Sequence, residues 1–239
     1  MNANKFFKGF RDGIPIGIVY LSVSFAFGIM AVKLGLSPLE ALLISMTNLT
    51  SAGQLAGAPI IAAGGSFIEL AMTQLIINSR YALMSVSISQ KLDSKVTFLD
   101  RFLIAFGNTD EIFAVSTGNE GSVGKRYFFG LMLFPWIGWS GGTILGAVAG
   151  AALPEIITTS LGVAIYAMLI AVFVPKAKKH LPTALCVLTA VALSCAFKYL
   201  PFLASFSETY GGFVIIICAV VASLIFALLF PVSEQKEAE

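Results

Sequence analysis

The sequence predicts an all-α integral membrane protein, with about six transmembrane helices plus two interrupted or re-entrant helical segments. Three observations predict this. Of the 239 residues, 57% are hydrophobic and only 12% are charged, against about 25% charged in a soluble domain. A small soluble fold leaves much of its surface in water and has no place for so much apolar side chain. Six stretches also hold the roughly 20 mainly apolar residues that one crossing needs. Two further stretches are apolar at their ends and polar in the middle.

The spans run over Ile14–Leu34, Phe67–Ser89, Tyr127–Leu153, Ile156–Val174, Leu181–Leu200 and Gly211–Phe230. Gly35-Leu36-Ser37-Pro38, Leu153-Pro154-Glu155, Pro175 and Pro231 stand at their ends, where helices stop. The first odd segment, Leu39–Ala63, carries Ser45, Thr47, Asn48, Thr50, Ser51 and Gln54 at its centre, with Gly53 placed to break the helix. The second, Phe102–Gly118, holds Gly107-Asn108-Thr109-Asp110-Glu111. Irregular backbone at membrane depth survives only against protein or water, and transporters build binding sites from such interrupted helices. The chain reads as one polytopic domain, 1–239. It has a cytoplasmic amino terminus over 1–12 and a short acidic cytoplasmic tail over 232–239. No convincing internal repeat is legible.

Positive charge orients the spans. With Lys5, Lys8 and Arg11 in the cytoplasm, re-entrance of both odd segments also places Lys91, Lys95, Arg101, Lys125 and Arg126 inside. Full crossing of both segments would put Lys91, Lys95 and Arg101 outside, against the rule. Re-entrance is therefore the preferred reading.

Polar residues within the spans mark candidate chemistry. Arg80 lies well inside Phe67–Ser89; a guanidinium at that depth costs about 2.5–3.5 kcal/mol on insertion scales and needs a partner or a wet cavity. Asn78 precedes it, and Thr73 and Gln74 lie one to two turns earlier. Asp110 and Glu111 are adjacent acids in an apolar segment, suited to pairing with Arg80 or carrying a proton; they also suit a helix amino terminus capped by Thr109 or Asn108. Asn48, Ser51 and Gln54 concentrate amide and hydroxyl groups beside small residues. Gly138, Gly142, Gly146 and Gly150 recur every four residues, a face for close helix packing, and Gly9, Gly13 and Gly17 repeat the spacing.

The charge balance of +2, without a basic stripe, gives no nucleic-acid signature. Cys186, Cys195 and Cys218 sit in apolar runs, far from any CxxC pattern, so no metal site is expected. There is no HExxH and no Walker lysine motif. Neither an enzyme nor an ATP-driven pump is indicated, and no cofactor is expected.

Several of these motifs together resemble the AzlC family, the large subunits of branched-chain amino acid exporters. The matching pieces are Gly13-Ile14-Pro15-Ile16-Gly17, Ala26-Phe27-Gly28 leading to Gly35-Leu36-Ser37-Pro38, Ala52-Gly53-Gln54, Asn78-Ser79-Arg80 with Leu83-Met84-Ser85, and Thr109-Asp110-Glu111-Ile112-Phe113-Ala114. They cover about the first half of the chain. The resemblance implies export of leucine, isoleucine, valine and methionine, driven by an ion gradient, with a small hydrophobic AzlD-type partner in the bacterial cytoplasmic membrane. In that setting Arg80 and Asn78 would hold the substrate carboxylate, and Asp110 or Glu111 the ammonium or the coupling proton. Asn48, Ser51 and Gln54 would line the site, with Phe25, Phe27 and Phe113 as its apolar wall. A passive channel for small polar solutes and a membrane scaffold without transport of its own remain as alternatives.

Overall fold

The computed structural model describes residues 5–119, 121–154, 156, 160, 170, 174, 177–209 and 211–230. These form helices and no strand. In chain order they are α1 (Phe6–Lys33), α2 (Pro38–Thr47), α3 (Ser51–Ala62), α4 (Phe67–Lys91), α5 (Phe98–Phe106), α6 (Asp110–Gly118), α7 (Lys125–Ala149) with a short 3-10 turn after it, α8 (Leu181–Tyr199), α9 (Pro201–Thr209) and α10 (Gly211–Leu229). Helices α1, α7, α8 and Gly212–Leu229 of α10 are long and apolar enough to cross a membrane. Helix α4 has 25 residues, about 37 Å at 1.5 Å per residue, so it is long enough, but its centre is polar. The span expected at Ile156–Val174 lies largely outside the described residues, as does the acidic tail. Helix α9 was not expected; it packs on α8 in what reads as a plain loop.

Helices α1 and α7 are the backbone of the fold. They run parallel, because contacts climb both in step: Gly9 faces Tyr127, Gly13 faces Leu131, Gly17 faces Gly138, and Gly28 faces Thr143 and Ala147. At Gly138, Gly142 and Gly146 a side-chain carbon would overlap the main chain of Gly17, Leu21 and Phe25, respectively. Gly150 meets the side chain of Ile29. Small residues let the two main chains touch, and dispersion with weak Cα–H···O contacts then holds helices for which lipid supplies no hydrophobic drive.

Each interrupted segment is a hairpin. Helix α1 ends at Gly35 (φ +94°), where the Gly35 and Leu36 N–H groups close back on Val32 and Ala31, a glycine C-cap of the Schellman type. Helix α2 then enters the bundle, capped by Ser37 and Glu40. It stops at Asn48, the chain is extended through Thr50, and Thr50 caps α3. The two arms fold back together: Gln54 donates to Ser45 at 2.8 Å, and Ala41 and Ala58 share a buried cluster with Phe27, Ala31, Leu36 and Ala147. The break lies at Asn48–Thr50, not at Gly53. Gly53 sits inside α3, where its main chain lies against Gln74, whose amide donates to the Gly53 carbonyl.

Helix α4 returns toward the amino-terminal end of α1. There Lys91 bonds the Thr117 carbonyl, and Lys8 of α1 donates to Asn119. Helix α5 enters from that end, capped by Thr97 and Asp100, breaks at Gly107–Thr109, and α6 leaves to the same end. So α1 with hairpin α2–α3, and α4 with hairpin α5–α6, are two copies of one unit inserted from opposite ends. The sequence expectation of no repeat is corrected. Leu36 matches Val96, Ser37 matches Thr97, Glu40 matches Asp100, Ile44 matches Ile104 and Asn48 matches Asn108, in constant register. Leu36 and Val96 are both buried. Inverted repeats meeting at broken helices are a recurrent transporter plan.

Candidate functional site

The two hairpin tips converge on the polar centre of α4, which divides its side chains between them. Gln74 and Asn78 serve the first tip. The Asn78 amide donates to Gln74 at 3.0 Å, and Thr50 donates to the Asn78 oxygen at 2.9 Å. Arg80 serves the second: its guanidinium is hydrogen-bonded and ion-paired to Asp110. It also lies over the ring of Tyr81, 4.7 Å from the centroid, and donates to that residue's hydroxyl at 3.2 Å. Asn78 and Arg80 therefore face different partners rather than one shared carboxylate.

The acids take their places from the local fold. Thr109 accepts the Ile112 N–H and caps α6, so Asp110 and Glu111 fill its first turn, where the helix dipole favours negative charge. They diverge from there: Asp110 meets Arg80, and Glu111 meets the hydroxyl of Tyr20 on α1. Tyr20 is buried and also hydrogen-bonds the Thr109 hydroxyl at 2.7 Å. The Arg80 and Asp110 side chains stay 38% and 39% exposed. The pair is thus half-exposed, while Tyr20 and Thr109 behind the acids are buried.

The ring of Tyr20 leads from this charged cluster to an apolar one. It lies edge-on to Trp139, 5.2 Å between centroids. Trp139 lines a tight cleft, too narrow for a water molecule, with Val23, Phe27, Ser51, Gln54 and Leu55. Two buried polar atoms there, Gln54 Oε1 and Trp139 Nε1, have no hydrogen-bond partner. The other end of the Gln54 amide is fixed by Ser45, which is bonded in turn to Thr143 at 2.7 Å. Asn48 lies on the far side of α3, lining a separate crevice with Thr47, Gly53, Gln54 and Gln74.

The predicted residues thus fall into three groups. Arg80, Asp110 and Glu111 form the charged cluster. Phe27, Ser51 and Gln54 gather at the cleft. Asn78 ties α4 to the cap of α3, and Asn48 lines the crevice beside them. Phe113 packs half-buried against the core cluster of Ile112, Tyr127 and Leu131. Phe25 lends its carbonyl to the contact with Gly146. Tyr20, Tyr81 and Trp139 were missed, because an aromatic residue within an apolar run carries no mark of its polar duty. Asn108, at the second tip, is buried with neither end of its amide partnered; its match to Asn48 was the signal available.

A sequence model of the family described as AzlC protein matches residues 15–153. The chain is 34% identical over 152 residues to the inner membrane protein YgaZ of Escherichia coli, covering 62% of each. It is 36% identical over 148 residues to an uncharacterized membrane protein of Archaeoglobus fulgidus, covering 62% of this chain and 64% of that one. It is 26% identical over 197 residues to the branched-chain amino acid transport protein AzlC of Bacillus subtilis, covering 80% of this chain and 75% of the relative. The match spans a little under two thirds of the first two relatives. No solved structure matches. The matched region takes in α1 through α7, both hairpins and the charged cluster, and on that match this multi-pass membrane protein belongs to the AzlC family.

Proposed function

We propose that this chain is the large subunit of a two-component exporter that moves leucine, isoleucine, valine and methionine outward in exchange for protons. The observation that carries the proposal is the Arg80–Asp110 pair beside Glu111, where a broken helix meets the centre of α4. A free amino acid offers a carboxylate, an ammonium and an apolar side chain, and the cluster holds a complement to each. Arg80 takes the carboxylate in place of Asp110. Glu111, with Asp110 once released, takes the ammonium. The side chain turns toward the apolar wall of Val23, Phe27, Leu55 and Trp139, whose cleft must widen to admit it.

Exchange follows from sharing. A carboxylate that holds a proton cannot also hold an ammonium ion, so proton and substrate occupy the acids in turn. In the empty site Asp110 returns to Arg80 and keeps the guanidinium neutralised at membrane depth, where a bare charge is costly. The inverted hairpins supply a basis for alternating access, one tip withdrawing toward each end of the bundle. The relative from Bacillus subtilis, named as a branched-chain amino acid transport protein, supports this substrate class.

The amino terminus with Lys5, Lys8 and Arg11 is placed in the cytoplasm by the positive-inside rule, in the cytoplasmic membrane of a bacterium. A small AzlD-type subunit is the partner, and the partial exposure of Arg80 and Asp110 within the bundle gives it something to cover. The test is counterflow of labelled leucine in proteoliposomes, with and without that partner. Wild type should exchange leucine with a dependence on the pH gradient, and Arg80→Ala should lose it. Undiminished valine or leucine efflux through folded Arg80→Ala would remove the charged cluster from transport.

A further inference from the structure

Glu69 is a buried carboxylate that the exchange scheme leaves unused. It stands in the first turn of α4, 7% exposed. One oxygen, Oε1, accepts the Gly212 N–H at 2.8 Å, tying α4 to the start of α10. No lysine or arginine answers it: the ion pairs among the described residues are Lys8–Asp12, Arg80–Asp110 and Lys125–Asp100. The first turn of α4 favours its negative charge, but no cation among the described residues is paired with it.

The residue also lines a cavity of about 460 Å³, within the range of small-molecule sites. Leu55, Pro59, Ile60 and Ile215 form its apolar wall, and Ser207 adds a hydroxyl. The second oxygen, Oε2, which Gly212 does not use, lies against Gly65. A cavity with one carboxylate that no described cation pairs, and an aliphatic wall, is complementary to an aliphatic ammonium ion. Among the described residues that line it there is no cation to hold a carboxylate.

We infer that the space between α3, α4 and α10 is a second binding site, which takes the ammonium end of an aliphatic amine or amino acid through Glu69. It stands beside the α3–α4 turn, at the end of the bundle where α1 finishes. Leu55 lines both this cavity and the tight cleft by Phe27, Gln54 and Trp139. The binding chemistry comes from this chain's residues alone. Only its place on the substrate's route, as a vestibule reached past Leu55, rests on the exporter reading.

The probe is isopentylamine, which is leucine without its carboxylate and has no use for Arg80. Its binding to the purified full-length protein, with any partner subunit retained, is measured at equilibrium with labelled amine. Glu69→Gln keeps a carbonyl oxygen to accept the Gly212 N–H but removes the charge, so it separates ligand binding from the structural bond. Ile215→Trp fills the cavity from its rim and leaves Glu69 intact. Wild type should bind the amine saturably, and both cavity variants should weaken it at least tenfold. No saturable binding, or binding unchanged in both cavity variants, overturns the site. If leucine efflux survives Arg80→Ala while amine binding still needs Glu69, the exporter scheme fails and this site stands.

Discussion

The hydroxyl of Tyr20 on α1 lies 2.7 Å from the Thr109 hydroxyl and within hydrogen-bond reach of the Glu111 carboxylate. One buried phenol thus fixes the cap of α6 and one of its two acids. Tyr20→Phe keeps the edge contact with Trp139 and removes only that oxygen. A hydrogen bond to a charged group is worth about 1.5–3 kcal/mol, so the thermal midpoint should fall measurably. Leucine exchange should fall more than stability does, with an altered pH dependence, because Glu111 loses its anchor. A variant that unfolds earlier yet exchanges leucine with the wild-type pH profile would confine Tyr20 to packing.

The Arg80–Asp110 pair separates stability from transport. Removing one partner leaves the other uncompensated within the bundle, which costs about 3–5 kcal/mol for a fully buried pair and less here because both side chains are over one third exposed. Arg80→Ala and Asp110→Ala should each lower the unfolding midpoint in detergent. The double variant has no stranded charge and should recover part of the loss. Exchange should stay absent in the double variant, since the group that receives the substrate carboxylate is gone. Full recovery of exchange would show the pair to be structural.

How much of this was legible in the sequence follows the physical rarity of each signal. A guanidinium in an apolar run is costly enough that Arg80 stood out alone, and its partner Asp110 was among the two acids named. Glycines at fourfold spacing were legible for the same reason. The hairpin break was misplaced because glycine is the usual helix breaker, whereas Asn48–Thr50 breaks by capping: Thr50 serves the helix that follows it. The repeat was missed because the matches at its caps, Ser37 with Thr97 and Glu40 with Asp100, keep a role rather than an identity, and identities such as Asn48 with Asn108 are scattered. Glu69, one acid in the first turn of a helix, carries no mark in the sequence of its burial against Gly212.

Two glycines on α7 offer an internal control. A methyl group on Gly146 would overlap the Phe25 carbonyl, while one on Gly141 meets nothing within 4 Å. Overpacking costs about 1–3 kcal/mol, and here the obstacle is main chain, which cannot rotate away. Gly146→Ala should therefore destabilise the protein by about that amount. Gly141→Ala should be neutral or slightly stabilising, because alanine is the better helix former. Thermal unfolding of the two variants in the same detergent checks both, and equal midpoints would mean that α1 and α7 separate at little cost.

Re-entrance makes a topological prediction that full crossing does not. Each hairpin returns to the end it entered from, so Leu34 and Ala63 lie at one end of the bundle, and Ser94 and Ser122 at the other. All four positions are exposed. Cysteine can be placed singly at each, in a background where Cys186, Cys195 and Cys218 are replaced, and labelled with a membrane-impermeant maleimide on intact cells. Leu34→Cys and Ala63→Cys should react together from outside. Ser94→Cys and Ser122→Cys should react only after the membrane is opened, as the placement of Lys5, Lys8 and Arg11 in the cytoplasm requires. If Leu34→Cys and Ala63→Cys labelled from opposite sides, α2 and α3 would form one crossing, and the inverted repeat would lose its first hairpin.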